Sequence, residues 1–253
     1  MFLMGVLASA PAFANDVIMD VAPSTTNWSG VYVEAFAGGV HSDANAYRTG
    51  HSGALLTLDV QNGLFPDTLR GSHTALTGGL GAGYLVQKGR FVGGIEADIA
   101  YVDSNFVNRF SKVDPNPMAP FTGVDTNTTY ESRFGLVGSA KLRGGIALGD
   151  TMLYANGGIA AGQVTNRFSL EIPQLAYTSP DWSERGTRIG FVLGGGIEQK
   201  LGNGYSIKIE GSYINLADTT VYAADPTNFP GQTVDYRFSN DLVIGRVGFA
   251  KRF

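Results

Sequence analysis

From 130 to 148 the chain keeps a side-chain period of two. Tyr130, Phe134, Leu136, Ala140, Leu142, Ile146 and Leu148 fall on one parity, with Gly138 and Gly144 between them. Glu131, Arg133, Ser139, Lys141 and Arg143 fall on the other. A strand sends alternate side chains to opposite faces of its sheet, so this stretch reads as one long strand, apolar on one side and ionic on the other. Such a strand suits a wall between lipid and a polar lumen.

The pattern recurs. Residues 91–102 set Phe91, Ile95, Ala97, Ile99 and Tyr101 against Glu96 and Asp98; 187–198 set Ile189, Phe191, Leu193 and Ile197 against Arg188 and Glu198. Residues 205–214 set Tyr205, Ile207, Ile209 and Tyr213 against Lys208 and Glu210, and 29–38 set Val31, Val33 and Ala35 against Tyr32, Glu34 and Phe36. Residues 242–253 set Val243, Val247, Phe249 and Phe253 against Arg246 and Arg252, while the glycine-rich stretches 74–86 and 153–164 alternate less cleanly. The connections at 87–90, 148–151 and 200–204 are tight, with Gly89, Gly149-Asp150 and Gly202-Asn203-Gly204 supplying turn chemistry. Those at 39–73, 104–129, 166–186 and 217–237 are long. Strict alternation of short and long connections predicts an all-β fold: an eight-stranded antiparallel transmembrane β-barrel with short periplasmic turns and four long extracellular loops. Loops 2 and 4, rich in Pro, Asn and Thr at 114–120 and 225–230, read as mobile surface.

Two magnitudes agree with that reading. Phe91 and Tyr101 lie ten residues apart on one parity, about 33 Å of strand, which a tilt of about 45° reduces to the ~23 Å between aromatic girdles; Tyr205 and Tyr213 form a slightly shorter pair. The inward parities carry Glu34, Glu96, Asp98, Glu131, Glu198 and Glu210 together with Arg133, Lys141, Arg143, Arg188, Lys208 and Arg246. An eight-stranded barrel is only wide enough for its own side chains, and buried charges must pair. A salt-bridged lumen follows, which argues against a general diffusion pore and against an anion pathway. The 35 glycines, about twice ordinary usage, are explained if crowded inward faces and curved strands need them.

The N-terminus reads as an export signal over residues 1–14: an apolar run at 2–10, then Ala12-Phe13-Ala14 as a cleavage pattern. Residues 15–27 become a periplasmic segment and 28–253 the barrel, and no later run is long enough for a membrane helix. Cysteine is absent, which removes disulfides and thiolate metal sites, and the net charge of −4 argues against a nucleic-acid partner.

Trp28-Ser29-Gly30-Val31-Tyr32 resembles the W-[ST]-G-x-Y opening of the alphaproteobacterial small outer-membrane barrel family, porin-like major surface antigens, opacity-like proteins and haemin-binding proteins built on an OmpA-like eight-stranded barrel. Residues 190–216 are similar to that family's glycine-rich strand, short turn and S-[VIL]-K-x-E-Y strand, and Leu153-Tyr154-Ala155-Asn156-Gly157-Gly158 resembles its L-Y-A-x-G-G element. Phe253 resembles the C-terminal aromatic read by the barrel-insertion machinery, although Lys251 stands where the family has an aromatic. The resemblance implies a bacterial outer-membrane location, contact with outer-membrane lipid and lipopolysaccharide, and loops displayed to a host surface; it implies no substrate.

Three site readings remain. His41, His51 and His73 all fall in or beside the first long loop with Asp43, Asp59 and Asp67, which offers a haemin or metal site; against it, lipid-facing strands exclude histidine, so loops collect it. His41-Ser42-Asp43 has the residue types of a hydrolase triad, as a lipid A-modifying barrel enzyme would need, but neighbours in sequence rarely share its geometry. The run Gly78 to Gly83 lacks the lysine and helix of a phosphate loop. Residues 54–60 are a strand extension, a short helix or a contact site. The expectation is a surface protein that is not an enzyme and holds no cofactor.

Overall fold

The alternating stretches close into a ring. The computed structural model describes residues 26–43, 45–114 and 123–253, so the export signal at 1–14 and most of the segment 15–27 lie outside the described residues. In chain order the elements are β1 (Gly30–Asp43), β2 (Ala46–Ser52), α1 (Ala54–Gln61), β3 (Thr68–Leu69), β4 (Ser72–Lys88), β5 (Phe91–Val102), β6 (Asn105–Val113), β7 (Asp125–Leu148), β8 (Thr151–Ile172), a 3-10 turn (Pro173–Leu175), β9 (Tyr177–Thr178), β10 (Trp182–Gly202), β11 (Tyr205–Ala224) and β12 (Thr233–Arg252). Among the described residues, β1, β4, β5, β7, β8, β10, β11 and β12 pair antiparallel in that order, and β12 returns to β1 from Tyr32↔Arg252 to Asp43↔Asp241. Closure leaves the ring without a sheet edge. The left-handed φ of Gly89 (+61°) and Gly149 (+67°) reverses the chain at two of the three tight turns, a conformation that favours glycine.

The long connections are shorter than the sequence suggested. Strands β7, β8, β10, β11 and β12 run 20 to 24 residues, about twice what a membrane crossing needs. Stretches expected as loops at 166–172, 182–186, 217–224 and 233–237 instead continue the ladders beyond the apolar belt, because their Thr, Ser and Asn backbones find partners in the neighbouring strand. The stretch 225–230 forms an exposed turn in which Asp225 accepts from the amides of Thr227 and Asn228, the Asn228 side chain and the Tyr177 hydroxyl, while residues 115–120 of the second loop lie outside the described residues. Residues 54–60 resolve as part of the helix α1.

Two bulges decide which side chains face inward. Between Phe134 and Val137 the β7–β8 register slips, so odd residues face inward on the short-turn side and even residues on the long-loop side. Tyr130, Ser132 and Phe134 are buried, while Arg133 is exposed and Glu131 partly so. Glu131 and Arg133, expected in the lumen, therefore sit on the outer face and pair with each other at 3.1 Å. A second slip between Leu216 and Thr219 repeats the device on β11.

The interior is stacked in layers from the short turns to the long loops. Trp28, Tyr32, Leu85, Val92, Ala147, Met152, Tyr154 and Ala250 form the first, and an ionic layer follows. A second apolar layer contains Val40, Phe134, Val164, Ile214, Leu216 and Leu242. A third, at the long-loop end, joins Leu56, Leu64 and Phe65 of the first loop to Phe168, Tyr236 and Phe238 of the wall. No member of the three apolar layers is more than 8% exposed. The outer face is the reverse, with Leu142 71%, Ile159 66% and Ile209 63% exposed.

Candidate functional site

The ionic layer is built by period-two placement. Glu34 projects inward from β1, Glu96 and Asp98 from β5, Lys141 and Arg143 from β7, Glu198 from β10, Lys208 and Glu210 from β11, and Arg246 from β12. Lys141 Nζ lies 2.7 Å from Glu96 Oε1 and 2.7 Å from Asp98 Oδ2. Lys208 Nζ lies 2.5 Å from Glu34 Oε2 and 3.3 Å from Glu96 Oε2. Arg143 joins Glu96 at 3.3 Å to Glu198 at 2.5 Å, and Arg246 reaches Glu210 at 2.6 Å and Asp98 at 3.1 Å. Arg252, on the parity of Arg246 near the end of β12, adds a bond to Glu198 at 3.3 Å. Five carboxylates thus meet five cations, which neutralises a layer too dry to hold net charge.

Neutral groups complete the layer; the sequence placed Tyr32 and Ser139 on inward parities but assigned neither a partner, and it did not single out Tyr154, Ser206 or Ser212. Tyr32 donates to Glu96 and Tyr154 to Glu210, while Ser139, Ser206 and Ser212 donate to Asp98, Glu198 and Glu210. Most sit two residues from a charge on the same parity, which was the available signal. Arg143 also lies over the Tyr154 ring, 3.6 Å from its centroid. Arg188, expected here, faces inward further toward the long loops and pairs with Glu184 at 3.3 Å. Its strand descends from the long-loop end and reaches the layer only at Glu198, ten residues later, so among the described residues Arg188 pairs with no network carboxylate.

Both ends of the lumen are covered. At the short-turn end the Trp28 indole donates to the Gly149 carbonyl at 3.2 Å, its amide donates to Gln87 Oε1 at 2.6 Å, and Lys200 and Arg252 lie over its ring. Within the lumen a small hollow, with room for about one water, remains between the ionic and middle layers, lined by Phe36, Asp98, Ser139, Ile244 and Arg246 among others. At the long-loop end a mouth cavity, partly open to solvent, is lined by α1, the ends of β8 and β11 and the turns beside them.

The histidines do not converge. On β1 and β4, His41 is on the outward parity and His73 on the inward one, and His51 sits on β2 with its Nδ1 2.9 Å from Arg48. Among the described residues no three His, Asp or Glu side chains are grouped to hold a metal. The period of two also breaks the His41-Ser42-Asp43 triad: His41 and Asp43 face outward, while Ser42 is buried and bonds Ser104 at 2.9 Å.

Apolar side chains on the outside and paired ions on the inside invert the plan of a soluble β-protein. Lipid is the medium that makes such an exterior favourable, and closure satisfies the backbone within it. The aromatic pairs sit where a bilayer would end them, Phe91 and Tyr205 by the short turns and Tyr101 and Tyr213 by the long loops, all outward and exposed. Lys251, which departs from the expected terminal aromatic, reaches out to the Asn203 carbonyl across the face of Tyr205. The chain is an integral outer-membrane β-barrel.

No family model matches this barrel, and no curated protein does. Solved outer-membrane barrels resemble it in fold. OprG from Pseudomonas aeruginosa is 12% identical, with a TM-score of 0.47 over 89% of this chain and 97% of that one. The outer membrane protease OmpT from Escherichia coli is 10% identical, with a TM-score of 0.45 over 88% and 97%. Neisserial surface protein A is 15% identical, with a TM-score of 0.32 over 89% and 98%. At such identities the likeness carries no chemistry. It does overturn the expectation that the chain is not an enzyme: a protease stands among the neighbours, so a barrel of this kind is no ground for excluding catalysis.

Proposed function

We propose that this barrel belongs to the alphaproteobacterial small outer-membrane family and serves at the cell surface, as a porin-like surface antigen with a structural and interaction role and at most a narrow channel. In this reading residues 1–14 direct export, residues 15–27 lie in the periplasm, and Phe253 is recognised by the insertion machinery. The family motifs support membership: Trp28 closes the short-turn end, and Tyr154 and Asn156 of the L-Y-A-x-G-G element both donate to Glu210. Contact with lipopolysaccharide is supported by Arg133, Arg167 and Arg185, which face outward just beyond Leu136 and Ile189 of the apolar belt. Arg133 and Arg185 both flank Thr165 in register, at the height where lipid phosphates meet protein, and the rim above them would meet a host surface.

The observation that carries the reading is the filled lumen, with its balanced ionic layer between apolar ones. Planar-bilayer recording tests it. The purified barrel is expected to give no large, stable current steps, and steps of general-porin size would overturn the reading.

A further inference from the structure

The mouth cavity has apolar and aromatic walls, among them Phe65, Leu170, Trp182 and Phe229, and its charged lining groups among the described residues are all carboxylates: Asp59, Asp114 and Asp225. Asp225 is occupied by its own turn. Asp59 projects from α1, and its carboxyl is pushed up to about 6, first by burial and then by Asp114. A carboxylate in apolar surroundings beside a second carboxylate favours a proton or a cation. Lys112, which reaches the end of α1, places its Nζ on the Asn62 carbonyl at 2.5 Å and does not line the cavity.

We propose that the mouth cavity binds small amphipathic cations, an aromatic or aliphatic body against Phe65 and Trp182 with a protonated amine at Asp59. Aromatic walls accept both the body and the flank of the cation, and the carboxylate supplies a charge-assisted hydrogen bond that a neutral analogue cannot use. This goes beyond the surface role and stands whether or not the lumen conducts.

The test uses the refolded barrel in lipid nanodiscs, with 2-phenylethylamine and 2-phenylethanol as probes and calorimetry as the readout. At pH 7.5 the amine is expected to saturate and to bind at least about tenfold more tightly than the alcohol. Asp59→Asn should bring the amine down to the alcohol and leave the alcohol unchanged, whereas Leu56→Trp, which fills the cavity, should abolish both. Asp59 is faced by Asp114, with Lys112 beyond the helix end and Asp225 with Tyr177 on the far wall. A carboxyl titrating near 6 is mostly protonated at pH 5, so amine affinity should fall about tenfold there. Equal binding of amine and alcohol by the wild type, or no saturable amine binding, overturns the proposal without any variant. An amine affinity untouched by Asp59→Asn does so as well, provided that variant keeps its heat-dependent gel shift.

Discussion

Lys208 holds three carboxylates, Glu34 at 2.5 Å, Glu96 at 3.3 Å and Glu210 at 3.6 Å, with 1% of its side chain exposed. The other cation near Glu34 is Arg246, at 4.0 Å. Lys208→Met therefore strands a buried carboxylate, and a loss of about 3–5 kcal/mol is expected, read as a lower midpoint in urea or in the heat-dependent gel shift. Adding Glu34→Gln should restore part of it, because the stranded charge is then gone. A Lys208→Met barrel as stable as the wild type would mean that water reaches the layer. Lys208 and Glu210 were legible in the sequence because an ionic side chain on the parity opposite Ile207 and Ile209 has one place to go. Tyr32 shared the parity of Glu34, but its bond to Glu96 was not legible, nor was the place of Tyr154, since its stretch alternates poorly and a tyrosine serves equally as girdle or lumen donor until its neighbours across the barrel are known.

At the level of strands, curvature depends on where side chains are missing. A Cβ on inward-facing Gly158 would lie 2.0 Å from the Ala140 carbonyl oxygen and 2.8 Å from the Lys141 Cα, backbone atoms that cannot step aside. On the outer face of the neighbouring strand, a Cβ on Gly144 would meet nothing within 4 Å. Gly158→Ala should thus cost about 1–3 kcal/mol, with Gly144→Ala neutral or slightly stabilising; equal effects on the unfolding midpoint would refute the close approach. Alternation made the eight wall strands legible, yet it misplaced Glu131 and Arg133. Their parity is sound only as far as the slip at Gly135-Leu136, and one extra residue in a ladder leaves no mark in local composition. The overlong loops share a cause: Thr, Ser and Asn at 215–220 and 163–169 look like loop residues but extend a sheet once the strand beside them supplies partners.

For the molecule as a whole, the barrel class was readable because closure, belt and lumen balance all follow from one periodicity. The mouth was not, since α1 docks through contacts such as Leu56 Nα–H to Gln232 Oε1 at 2.9 Å, 176 residues away. The arginines above the belt belong to this scale, because they act only with the barrel seated in lipid. Replacing Arg133, Arg167 and Arg185 together by Gln should leave the gel shift intact and weaken binding to anionic lipid vesicles by roughly fivefold per arginine at low salt. Vesicle binding that is unchanged would remove lipid phosphate as their partner. The Trp28 staple has a kinetic corollary. Its indole contacts need the turn at Gly149, the end of β10 and the last strand in place together, and β1 meets β12 only across the longest contour in the chain, where closure entropy delays encounter. Trp28 thus locks at the end of assembly, and with Trp182 at the opposite pole the barrel carries two native fluorophores that time the sealing of each end separately.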